Sequence, residues 1–114
     1  MRAILSVRIS SPLPADELVR RMNARAADFA AVPGLVQKSF GLDPLSGDIC
    51  GIYIFETRAA LEAYRASPLA TSIPAAYAAT EIRREIFDLV NLVQAQAAGA
   101  PGAIRRLRAP PPCS

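Results

Sequence analysis

Lys38, Tyr53 and Tyr64 are the side chains of this chain best suited to chemistry, and no histidine accompanies them. A lysine can stabilise an anion, or act as a base where burial strips its proton. A tyrosine carries a hydroxyl on an apolar body, so it can orient a ligand that is itself mostly apolar. Phe40, Phe55, Tyr77 and Phe87 are suited to lining a flat ring and form the candidate substrate-binding set. The lack of His removes imidazole bases, Ser-His and Cys-His pairs, haem ligation by His, and the facial triad of non-haem iron. No Gly-x-Gly-x-x-Gly follows a strand, and there is no Walker-type loop. Cys50 in mid-strand and Cys113 next to last make neither a disulfide framework nor a metal site. The expectation is a site with no metal and no bound cofactor.

Each of these residues also has a plain structural reading, which stays open at this point. Lys38 is flanked by strand apolars, where an edge lysine discourages aggregation. Tyr53 and Tyr64 fit a core in which the hydroxyl is satisfied. Cys50 reads as a small buried hydrophobe.

The elements that must position these side chains are legible from periodicity. Ala3, Leu5, Val7 and Ile9 alternate with Ser6, Arg8 and Ser10, the period of a strand. Pro14, followed by Asp16 and Glu17, suits a helix first turn. Leu18, Val19, Met22, Ala26, Phe29 and Ala30 then predict one apolar helix face over 14–31, closed by Pro33-Gly34. Leu35 to Leu42 and Ile49 to Glu56 are two strands around "DPLSGD". Thr57 can cap a second helix with Ala60, Leu61 and Tyr64 on its apolar side. A short irregular or helical segment runs from Ser67-Pro68 to Tyr77. Thr80 to Val93 is the last strand, with Ile82, Ile86, Val90 and Leu92 on one face and Phe87, Leu89 and Val93 on the other.

The order is α+β and ferredoxin-like, βαββαβ: a four-stranded antiparallel sheet with both helices on one face. The run Ile49–Phe55 is apolar at nearly every position, so helices cover only one of its sides. An apolar sheet face without a layer of its own is an association site. A second copy of the same face is the economical cover, which predicts a homodimer through the helix-free sheet face.

At 114 residues the chain makes one domain, assigned to 1–94, with 95–114 an Ala/Pro/Arg-rich flexible tail. Arg105, Arg106 and Arg108 in that tail account for the whole net charge of +3. The rest is neutral, which argues against a nucleic-acid partner. No apolar run reaches the roughly 18 residues of a membrane span. The N-terminus "MRAILSVRIS" reads as a first strand and not a signal peptide, so the expected location is cytoplasmic.

The strings "VPGLVQKSF", "GIYIFE", "LEAYRAS" and "IFDLVN" occur in this order and spacing. They resemble the YdhR-type monooxygenase family of the dimeric α+β barrel superfamily. The matching positions are Pro33, Gly34 and Lys38; Gly51, Ile52, Tyr53 and Phe55; Ala63 and Tyr64; Phe87, Asp88 and Asn91. The resemblance covers residues 3 to about 98. Cys50 stands where that family often has a first Gly, and the Trp common in its second strand is missing. The resemblance implies a paired-sheet dimer and a monooxygenase. Without metal or flavin, an electron-rich phenol, hydroquinone or anthrone must itself pass an electron to dioxygen. The protein then supplies a dry aromatic pocket, a base and donors to the phenolate. The expected function is a cofactor-independent monooxygenase acting on a small aromatic or quinone-like compound. The alternative is a non-catalytic small-molecule-binding or structural dimer of the same fold.

Overall fold

A computed structural model describes residues 1–95. The proposed tail therefore lies almost wholly outside the described residues. Strand β1 spans Ala3–Ser10, helix α1 Ala15–Ala30, β2 Leu35–Leu42 and β3 Ile49–Phe55. Then follow α2 at Arg58–Arg65, two four-residue helices α3 at Pro68–Thr71 and α4 at Ile73–Ala76, and β4 at Glu81–Asp88. The sheet is antiparallel throughout, in the order β2-β3-β1-β4. This is the ferredoxin-like α+β fold with its helices on one sheet face. No helix among the described residues is long and apolar enough to cross a membrane.

Local chemistry explains most boundaries. Pro14 precedes α1 with extended backbone, and Asp16 and Glu17 occupy the first turn near the positive end of the helix dipole. Thr57 caps α2 by accepting from the Ala60 amide at 3.0 Å. Gly34 turns the chain into β2 with φ of 77°, in the left-handed region. A Cβ there would also stand 2.6 Å from the Ala60 Cβ, so the turn packs directly on α2. The β2–β3 turn is held by Arg8 of β1, which donates at 2.8 Å to both Asp43 and Asp48.

The core lies between sheet and helices. Leu5, Val7, Ile49, Tyr53 and Phe55 meet Leu18, Met22 and Phe29 of α1 and Leu61 and Tyr64 of α2. Two expectations need correction. In α1 the inward stripe runs through Leu18, Met22 and Phe29, with Arg25 partly buried on the same side, while Ala26 and Ala30 are exposed. Steps of four, three and four residues keep closest to one face, and 26 lies beyond it. The last strand ends at Asp88 and not at Val93. The β1–β4 ladder ends at the Ala3–Asp88 pair, and the Leu89 amide then donates to the Arg2 carbonyl, outside both strands.

Strand register places Ile4, Ile52, Ile54 and Phe87 on the helix-free face. Phe87 is 49% exposed and Ile52 37%. Toward the other end the same face carries Arg8 directly opposite Arg83, and Glu85 opposite Ser6. The apolar patch thus occupies one end of this face, not all of it. Ser6, Arg8, Arg83 and Glu85 make the remainder polar.

Candidate functional site

Lys38 is the only lysine of the chain. Pairing of β2 with β3 sets it opposite Tyr53, with Phe40 opposite Gly51. All four therefore face the helices, and Phe29 of α1 closes over them. The Lys38 Nζ lies 3.1 Å from the centroid of the Phe29 ring, 4.2 Å from that of Phe40 and 4.4 Å from that of Tyr53. Gly51 makes the arrangement feasible, since a Cβ there would stand 3.1 Å from Tyr53 Cε1 and 3.2 Å from Lys38 Cε. Although β2 is an edge strand, Lys38 points inward and does not guard the edge. Burial pulls its ammonium down from 10.5 to about 7, and the charge of Arg25 acts in the same direction. The three ring faces act in the opposite direction, because their negative quadrupoles favour the cation.

Behind this cage stands a tyrosine pair. The Tyr64 hydroxyl of α2 donates to the Tyr53 hydroxyl at 3.0 Å, with ring centroids 5.1 Å apart. Phe55 stacks on Tyr53 with centroids 6.0 Å apart, and Phe29 meets Tyr53 edge-on. Burial pushes the Tyr53 hydroxyl far up, and the neighbouring Tyr64 adds to it. Burial also raises Tyr64, partly opposed by its hydrogen bond to Tyr53. Both are thus held as neutral donors.

Tyr77 closes the far side. It is 3% exposed, burial raises its hydroxyl, and that oxygen has no hydrogen-bond partner among the described residues. The Arg25 guanidinium lies 5.7 Å from the Tyr77 centroid and donates to the Leu69 carbonyl and the Ser72 hydroxyl.

Lys38, Phe40, Tyr53 and Tyr77 border a void of about 10 Å³. That is room for about one water and no organic ligand. A cleft of about 590 Å³ opens elsewhere, between β1 and β4 on one side and α2 to α4 on the other. Leu5, Val7, Ile73 and Pro74 supply apolar surface, and Tyr64, Arg65, Glu62 and Arg84 the polar groups. Its size falls within the range of small-molecule pockets. Tyr64 also borders a smaller cleft of about 350 Å³ between α1 and α2.

The residues named from sequence therefore separate. Lys38, Tyr53, Tyr64, Phe40, Phe55 and Tyr77 come together around Phe29, but of these only Tyr64 lines the large cleft. Phe87 lies on the helix-free face, away from the others. Sequence reasoning missed Phe29 as the lid of the lysine cage, and Arg25 and Arg84 altogether. The signals were present: Arg25 sits three after Met22 and four before Phe29, and Arg84 sits between Ile82 and Ile86 on the inward row of β4. Among the described residues, no group of three His, Cys, Asp or Glu side chains is placed to hold a metal ion.

Among curated proteins, none matches this sequence. Among solved structures, SnoaB, a cofactor-independent oxygenase from Streptomyces nogalater, is similar with a TM-score of 0.67 and 17% identity. The match covers 81% of this chain and 96% of that one. Rv0793 from Mycobacterium tuberculosis matches with a TM-score of 0.67 and 15% identity, over 82% of this chain and all of its own. A dimeric ferredoxin-like protein of unknown function from Thermobifida fusca YX matches at 0.60 and 18% identity, over 77% of this chain and 92% of its own. At such identities these likenesses establish the fold alone. A sequence-family model described as "Putative mono-oxygenase ydhR" matches residues 4–100, and by that match the chain belongs to the ydhR family.

Proposed function

We propose that this protein is a cofactor-independent monooxygenase acting on a small aromatic or quinone-like compound bound in the 590 Å³ cleft. The observation that carries the reading is that Tyr64, a buried neutral donor backed by Tyr53, borders that cleft beside an apolar floor. Membership of the ydhR family and the oxygenase activity printed for SnoaB agree with it. In this reading a phenol, hydroquinone or anthrone ionises in the cleft and passes an electron to dioxygen. The substrate radical and superoxide combine into a carbon–oxygen bond, and the peroxide takes up a proton. Its O–O bond then breaks as the C–H hydrogen leaves with the outer oxygen as water, so the ring carbon becomes a quinone carbonyl with no further reductant. With substrate bound the hydroxyl pair turns round: Tyr53 donates to the Tyr64 oxygen, Tyr64 donates its proton to the anionic substrate oxygen, and Leu5, Val7 and Ile73 exclude water from one ring face. Tyr53 positions the Tyr64 hydroxyl. Lys38 and Phe55 hold the Tyr53 ring from behind, and neither they nor Phe40 and Tyr77 touch substrate. Phe87 has no part in the pocket.

Oxygen uptake over a panel of hydroquinones and anthrones tests this. The wild type is expected to consume oxygen with at least one of them, and Tyr64→Phe to turn over about tenfold more slowly, the worth of one hydrogen bond to a charged group. Uptake unchanged in Tyr64→Phe overturns the assigned role, and no uptake with any of the panel overturns the reaction. The second reading is a binding protein without turnover. It is favoured by the upward shift of both hydroxyls, which suits donation and not proton abstraction. Saturable binding of the same compounds without oxygen uptake would establish it.

The assembly we propose is a homodimer through the helix-free face, with Ile4, Ile52 and Phe87 of two copies in contact. Its support is the half-exposed apolar patch at that end of the sheet and the dimer printed for the Thermobifida protein. Static light scattering at micromolar concentration should return twice the chain mass, and Phe87→Glu should shift it toward one. A stable monomer in the wild type sinks the proposal.

A further inference from the structure

Arg84 interrupts an otherwise apolar row. On β4, Ile82, Arg84 and Ile86 face the helices opposite Ile9, Val7 and Leu5 of β1. A cation in the middle of such a row breaks the pattern that the fold asks for, and breaks of this kind concentrate at functional sites. Its sequence neighbours Arg83 and Glu85 point to the other face of the sheet. Three charged residues line the cleft. Glu62 is already engaged, by Arg65 at 3.1 Å and by Arg58 at 3.3 Å. Arg84 pairs with no carboxylate among the described residues, so the cleft carries one positive charge in excess. Arg84 and Tyr64 line the same cleft.

We infer that the cleft selects an anionic aromatic ligand, with its carboxylate or phenolate oxygens on Arg84 and its ring on Leu5, Val7 and Ile73. A planar guanidinium suits this task because it presents paired donors to a carboxylate. Arg65, the other cation of the lining, is held by Glu62 at 3.1 Å, and the Tyr64 hydroxyl offers a single donor beside the several of the Arg84 guanidinium. This rests on the proposed function for the location of the site, but not for turnover.

The experiment is calorimetric titration of the full chain with 2-naphthoate and with 2-naphthalenemethanol, a neutral analogue of nearly the same shape. The wild type should bind the anion tighter by about tenfold to a hundredfold, as expected for charge-assisted hydrogen bonds. Arg84→Gln should abolish that preference, Arg84→Lys should keep part of it, and Arg20→Gln, on exposed α1 surface, should keep all of it. Equal binding of the two probes by the wild type, or binding of neither, overturns the inference. So does a preference that survives Arg84→Gln. The two readings fail separately. Arg84-dependent binding without oxygen uptake removes only the monooxygenase. Uptake with neutral hydroquinones that Arg84→Gln leaves intact removes only the anion selectivity.

Discussion

Phe29→Ala is expected to cost about 3–5 kcal/mol in chemical denaturation, the range for truncating a large core aromatic. Phe29 is 2% exposed and touches more of the site than any other residue. It meets Phe40 with centroids at 5.9 Å, Tyr53 at 6.0 Å and Tyr64 at 6.2 Å, and its ring face lies on the Lys38 ammonium. Truncation removes these contacts and opens the cage, so water reaches Lys38 and its pKa climbs back toward the ordinary value. Phe29→Leu makes a sharper comparison. It keeps most of the apolar volume and removes only the ring, so it should cost less, about 1–2 kcal/mol. The cation then loses a ring face without gaining water, so Lys38 should fall further. Denaturant midpoints measured for both variants, with Lys38 titrated by NMR, decide it. Equal pKa values in the two variants would remove the ring face from the account.

Raising the pH from 7 to 9.5 should stabilise the wild type, which is the second large effect. Lys38 has its proton pulled off near 7 in the folded chain and near 10.5 in the unfolded one. Between those values the unfolded chain binds more protons, so stability rises with pH. Between pH 7 and 9.5 the shift from 10.5 to about 7 sets an upper bound of about 3 kcal/mol. The ring faces and relaxation of the cage reduce it, and about 1–2 kcal/mol is expected. Above pH 10 the sign reverses. Tyr53, Tyr64 and Tyr77 hold their protons in the fold after the unfolded chain has released them, so stability is lost there. A maximum near pH 10 follows. Lys38→Met keeps the length of the side chain without a charge, and its curve should be flat from 7 to 9.5. Urea denaturation at several pH values reads both curves, and a rise that persists in Lys38→Met would assign it to another group.

The lysine also bears on what a sequence can reveal. Alternation along Leu35–Leu42 tells which residues share a face with Lys38, but β2 is an edge strand, and an edge lysine commonly faces water. What turns it into a caged amine is Phe29, nine residues earlier on a different element. The same limit explains Arg25. A helical stripe is drawn from apolar positions, and an arginine within it is passed over, although its long stem can lie on the aromatic rings of Phe29 and Tyr77. The period after Thr80 outruns the strand for a related reason. Val90 and Leu92 continue the period, but a strand needs a neighbour, and the pairing with β1 ends at Ala3 opposite Asp88.

The sequence by itself determined the element order, the β2–β3 pair around "DPLSGD", the start of α1 after Pro14 and the Thr57-capped start of α2, and the family resemblance. Those features rest on interactions between residues close in the chain, or on a period of two or 3.6 that needs no partner to be visible. Only the tertiary structure decided where the cavity lies. Six of the seven aromatic and basic residues that looked like a pocket pack into one another and leave about 10 Å³, whereas the space for a ligand opens beyond Tyr64, beside Arg84. A cleft is a gap between β1, β4, α2, α3 and α4, segments far apart in the chain. No local pattern encodes a gap; it appears only when the side chains on all its walls have been placed and found not to meet.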